Sequence, residues 1–153
     1  MAAMDITAAV PVVPGPDALP RRLGHAGLIP FVAGAGLVWV VQPEAHPYVL
    51  LALSTYAATI VSFLGALHWG LAMRRPSPPP GRWWWGIATP LGAWVGAMMP
   101  PASGLVVLGA LLVACYLVDR RVYRDEGLAH WLTLRFRLSV VAAFSCFLGA
   151  AGA

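Results

Sequence analysis

Few side chains in this sequence could carry chemistry: four histidines, two cysteines and six carboxylates among 153 residues. His68 stands out. It lies inside a long apolar run, one and a half helical turns before Arg74 and Arg75, and an ionisable group at such depth is a functional hypothesis by default. A neutral imidazole bonded to a neighbouring helix is the plainer account. His25 opens another apolar run at similar depth, so the two histidines together suggest haem or a quinone head group. Haem needs both imidazoles turned into one large pocket, and Trp69 beside His68 leaves little room. The expectation is therefore no cofactor, with quinone or haem as the minor alternative. His46 and His130 fall in connections and read as solvated. Cys115 and Cys146 sit in apolar runs and read as small buried hydrophobes, not as a disulfide or metal set.

Asp119 ends an apolar run and is followed by Arg120 and Arg121, while Arg135 and Arg137 stand at the base of the next one. Two residues apart on a helix is about 200°, so one arginine snorkels toward head groups and the other turns inward. Asp119 is its natural partner, because an unpaired charge at membrane depth costs ~2.5–3.5 kcal/mol. The expectation is one polar cluster of His68, Asp119 and either Arg135 or Arg137. No Ser-His-Asp set, phosphate loop or carboxylate pair is present, which leans away from an enzyme.

The elements that must position these residues follow from composition. The chain is 59% hydrophobic and only 10% charged, with mean hydropathy +0.74, against ~25% charged for a soluble domain. This excludes a soluble enzyme, a disordered chain and a nucleic-acid module, despite a net charge of +4. A crossing takes ~20 apolar residues, and five segments qualify, at about 23–41, 49–73, 83–99, 104–118 and 132–152. The fold class expected is an all-α polytopic membrane bundle. Residues 1–22 read as a flexible tail, broken by Pro11, Pro14, Pro16 and Pro20. The third and fourth segments are short enough for a re-entrant hairpin, but an arginine-free connection between them favours two crossings. All ten basic residues are arginines, and a five-span path puts all ten on one side. Positive residues stay cytoplasmic, giving N-in, C-out. Trp83, Trp84, Trp85, Tyr123 and Trp131 suit that interface, and Tyr48 the other. Residues 74–82 read as a stiff polyproline spacer. Pro30 and Pro90 should kink their helices, the basis of a small oligomeric transporter as an alternative.

Within 49–73, Ser54, Thr55, Ala58, Thr59, Ser62, Gly65, Ala66, Trp69 and Gly70 share one half of the helical wheel. Leu50, Leu53, Ile60, Phe63, Leu64, Leu67 and Leu71 fill the other. Small residues mark helix contacts in lipid, so the Ala58, Ser62, Ala66, Gly70 ladder should pack and the leucines face lipid. Gly92 and Gly96 offer a partner surface.

Four stretches carry a resemblance. They are Gly27-Leu28-Ile29-Pro30-Phe31; Tyr56-Ala57-x-x-Ile60-x-Ser62-Phe63-Leu64-Gly65-Ala66-x-His68-Trp69-Gly70; Tyr116-Leu117-x-Asp119-Arg120-Arg121; and Trp131-x-x-Leu134-Arg135-x-Arg137-Leu138. Together the chain resembles the transmembrane protein 69 family over about residues 23–150. Members usually carry a second glycine where this chain has Ala66. The resemblance implies a small multi-pass membrane protein of bacteria or mitochondria and draws attention to His68, Trp69, Asp119, Arg135 and Arg137, but supplies no activity. The function expected is a non-enzymatic accessory or assembly partner of a larger membrane complex. A quinone, haem or lipid binder near His68 is the alternative. Its partners would be lipids and another membrane protein or itself, not nucleic acid. The absence of Lys and Asn suggests a GC-rich bacterial genome and the bacterial inner membrane, with the mitochondrial inner membrane as the alternative.

Overall fold

A computed structural model describes residues 17–153. Most of the expected tail, residues 1–16, lies outside the described residues. Six α-helices follow: α1 Ala18–Ala26, α2 Ile29–Leu37, α3 His46–Met73, α4 Pro80–Met98, α5 Pro101–Asp125 and α6 Leu132–Ala151, the last preceded by a 3-10 turn at Ala129–Trp131. No strand occurs among the described residues. Prolines start this architecture. Pro30, Pro47, Pro80 and Pro101 all occupy the first two positions of a helix, where the missing N–H has no intrahelical partner to lose.

That rule corrects three expectations. Helix α1 begins at Ala18 and contains Pro20, which is tolerated because it lies in the first turn; the tail therefore ends earlier than 22. The first apolar segment is two helices, not one, because Pro30 opens α2 and cannot donate back across the Gly27-Leu28 turn. Pro30 is thus no interior kink, unlike Pro90, which is inside α4. The proline-rich connection shrinks to residues 74–79, since Pro80, Gly81 and Arg82 form the first turn of α4.

A fourth correction concerns α5. Hydropathy alone ends this span at 118, yet the helix continues through Asp119, Arg120 and Arg121 to Asp125. It stops at Gly127, whose φ of 71° is a backbone state glycine adopts freely. The Leu128 N–H donates to the Tyr123 carbonyl at 2.7 Å and the Gly127 N–H to Arg124 at 3.2 Å, a Schellman closure. Among the described residues three helices are long and apolar enough to cross a membrane: α3, α5, and α6 with its leading 3-10 turn.

Helix α3 is central and touches α2, α4, α5 and α6. At one end of the bundle Arg75 and Arg82 both meet Glu126, and Pro20, Arg74 and Trp131 border a common opening. At the other end His46 Nε2 lies 2.9 Å from the Gly152 carbonyl and Trp39 Nε1 donates to Leu148 at 3.3 Å. His46 is therefore tied to the chain's far end, not simply solvated. With α1 and α2 taken together, the chain runs end to end five times.

The face that α3 buries differs from the wheel reading. Leu50, Leu53, Ser54, Ala57, Val61, Leu64, Gly65, His68 and Ala72 are buried, whereas Thr55, Thr59, Ala66, Trp69 and Gly70 are exposed and Ala58 and Ser62 half-buried. A helix with neighbours on four sides buries leucines as the filling between them. Leu53 packs against Gly34 of α2 and Gly149 of α6. Close backbone approach is concentrated at Gly65. A Cβ there would fall 1.7 Å from Thr89 Oγ1, and one on Gly86 would fall 3.2 Å from the Gly65 carbonyl, so α3 and α4 cross where neither tolerates a side chain. Gly92 and Gly96 face Leu111 and Leu108 of α5, not α3.

Candidate functional site

One face of α5 presents Cys115, Asp119 and Tyr123 at four-residue spacing, all buried. Asp119 is 1% exposed and has both carboxylate oxygens matched. His68 Nε2 from α3 lies 2.9 Å from Oδ1. Arg135 of α6 donates Nε to Oδ2 at 2.9 Å and Nη2 to the same oxygen. Three helices are thus joined through one carboxylate by charge-assisted bonds. An imidazole carrying its proton on Nε2 donates to Asp119 and leaves Nδ1 as an acceptor. That atom is buried with no hydrogen-bond partner among the described residues, as is Nε1 of Trp85, whose ring packs edge-on to the imidazole at 6.5 Å between centroids.

The Arg135 side chain borders a large, half-open cavity of about 870 Å³ lined by α1, α2, α3 and α6, with Leu112 and Tyr123 of α5. Leu23, Leu28, Phe63, Leu67, Leu138 and Ala142 make its walls, and Tyr123, Arg135, Ser139 and Arg74 are its polar lining. The cavity exists because α1 and α2 are short and bend at Gly27-Leu28. The bend is held by the Tyr56 hydroxyl, which donates to the Gly27 carbonyl at 2.8 Å, and by an edge-on contact of Phe31 with Tyr56 at 5.1 Å. Ala66 and Gly70, expected to pack, line this space instead, and a Cβ on Gly70 would meet nothing within 4 Å.

Of the residues singled out from the sequence, His68, Asp119 and Arg135 come together. Arg137 is exposed, because it lies on the other side of α6. Trp69 is 39% exposed and donates from Nε1 to the Trp83 carbonyl at 3.2 Å; it belongs to the α3–α4 contact. His25 is exposed, with its Nδ1 2.7 Å from the Arg21 carbonyl, and borders a separate shallow cleft with Ile29 and Val32. His25 and His68 line no common pocket among the described residues.

Sequence reasoning missed Ser139 and Tyr123, although each stands four residues from a residue it did select, Arg135 and Asp119. It also missed an ion-pair cluster at the arginine-rich end. Glu126 lies 2.5 Å from Arg82 and 2.7 Å from Arg75, with Arg82 only 6% exposed. Burial pushes the Glu126 carboxyl up, but the two guanidiniums outweigh it and hold the group below its ordinary 4.5.

Comparison with known proteins places this arrangement. Residues 17–151 match a family described as a protein of unknown function, DUF3429. The chain is 36% identical to Transmembrane protein 69 of Xenopus tropicalis, over 80% of this chain and 50% of that protein. It thus spans about half the length of this curated relative. No solved structure matches. The matched span takes in His68, Asp119, Arg135 and every helix around the cavity, and the chain belongs to the DUF3429 family and is related to Transmembrane protein 69.

Proposed function

We propose that this chain is a non-catalytic membrane protein that holds an amphiphilic molecule in the cavity between α1, α2, α3 and α6. The observation that carries this reading is the cavity's composition: about 870 Å³ lined by apolar side chains, with Arg135 and Ser139 on one wall. Ligand sites typically have this volume and this pairing of apolar walls with a few placed polar groups. The setting proposed is the bacterial inner membrane, with the chain crossing five times, N-terminus inside and C-terminus outside. The distribution of its ten arginines supports this, since positive residues remain cytoplasmic.

Gly70→Phe tests the reading directly. Gly70 lines the cavity and a Cβ there meets nothing within 4 Å, so a larger side chain takes up cavity space. Protein purified in a mild maltoside detergent should carry about one equivalent of an extractable lipid-like molecule, detected by mass spectrometry. The variant should fold with unchanged helix content and carry none. Equal amounts in both proteins would remove the cavity from consideration.

A role as accessory or assembly partner is the second reading. It rests on the stripe Trp84, Leu91, Trp94 and Met98, exposed along one face of α4. Recovery of the same membrane complex with wild type, and its loss on Trp94→Ala, would favour this role; gentle-detergent pulldown measures both.

A further inference from the structure

We propose that the head group held in this cavity is a neutral carbonyl, bound by the Ser139 hydroxyl and the remaining N–H donors of Arg135; this rests on the amphiphile reading above. Ser139 is 5% exposed, lines the cavity and has no hydrogen-bond partner for its Oγ among the described residues. Helical serines and threonines ordinarily turn the hydroxyl back to a carbonyl three or four residues earlier. Ser54, Thr55, Thr59, Ser62 and Thr89 all do so here. Ser139 does not, and a buried hydroxyl left unpaired is unfavourable. A ligand acceptor supplies the missing partner.

The charge of the site decides what kind of acceptor. Arg135 sits one helical turn from Ser139, on the same side of α6, and donates Nε and Nη2 to Asp119. Its guanidinium has five N–H donors, so donors remain for a ligand. The positive charge beside Ser139 is nonetheless matched by Asp119, which is 1% exposed, and the cavity's other cation, Arg74, is exposed at its opening. A ligand carboxylate would make two anions share one guanidinium away from water, which is costly. A carbonyl accepts from the serine O–H and a guanidinium N–H without adding charge. Two membrane sources offer that chemistry on an apolar chain: a quinone ring and a glycerolipid ester.

The experiment uses full-length protein, delipidated in maltoside micelles, and four probes: a decyl-substituted benzoquinone, monoolein, oleate and octadecene. Binding is read by tryptophan fluorescence, since Trp131 borders the cavity, and by thermal shift. The expected result is that the quinone or monoolein binds about tenfold more tightly than oleate or octadecene, the scale of one hydrogen bond to a buried donor. Ser139→Ala should remove that preference without lowering the midpoint of the ligand-free protein. Whichever neutral probe binds more tightly identifies the source. Oleate binding as tightly as the neutral probes, or Ser139→Ala retaining the preference, overturns the proposal. If all four bind alike, the cavity reading stands and the head-group assignment fails. If none binds, both fail.

Discussion

At the residue scale, the central object is a buried carboxylate that joins three helices. Arg135 and His68 occupy both oxygens of Asp119. Breaking a buried pair by removing one partner typically costs ~3–5 kcal/mol, whereas replacing both by apolar groups is often neutral. Asp119→Asn should therefore lower detergent-phase stability by about that amount, and Asp119→Leu with Arg135→Leu should recover most of it. Chemical denaturation measures both. The double variant should still fail to retain the co-purifying amphiphile, because Arg135 belongs to the cavity wall. Full retention would make the pair scaffold alone. This cluster was legible in the sequence because burying an ion forces a partner, and only a few candidates shared its depth. Ser139 was not legible. A lone serine in a helix has a ready partner in its own backbone, and only the coordinates show that it declines it.

At the element scale, small-residue counting misjudged α3. The rule that small residues mark contacts holds at Gly65, where two backbones meet, but the ladder through Ala66 and Gly70 borders a cavity. The leucines lie where a central helix needs filling between separated neighbours. Leu53→Ala, at 1% exposed, should cost about 2–5 kcal/mol, and Thr59→Leu, on an exposed face, less than about 0.5 kcal/mol. A thermal-unfolding comparison with the opposite order would restore the original wheel. The proline-started helices misled for a related reason: proline ends a helix in one position and begins one in another, and spacing alone does not say which. The connection between α3 and α4 is latched by Glu126 onto Arg75 and Arg82. Because its folded-state carboxyl lies below 4.5, the latch contributes fully above that value and is lost as pH falls through the lowered folded one. Amide exchange in residues 74–79 should be slow at pH 6 and accelerate near pH 3 beyond the intrinsic pH effect. Glu126→Gln should show the loosened pattern already at pH 6.

At the scale of the whole molecule, the fold gathers the arginine-bearing segments at one end of the bundle. The arginines occupy α1, the α3–α4 connection with the first turn of α4, the last turns of α5 and the first turns of α6. Contacts bring these regions to one end of the bundle: Arg75 and Arg82 on Glu126, and Pro20 with Arg74 and Trp131 around one opening. Ten guanidiniums on one end oppose translocation of that end, so the arginine-rich end should stay cytoplasmic. Single cysteines at Pro43 and Ser103 should react with a membrane-impermeant maleimide in intact cells, and one at Ser77 only after permeabilisation. The native Cys115 and Cys146 are 1% and 0% exposed, so they contribute little background. The Ser103 result carries the most weight, because α4 has only 19 residues, one of them an internal proline. A re-entrant hairpin would keep every arginine on its side and bury the α4–α5 turn short of the outer surface, leaving Ser103 silent in intact cells. Two full crossings, with α5 extended to 25 residues, about 38 Å at 1.5 Å per residue, carry that turn out to where the probe can reach it.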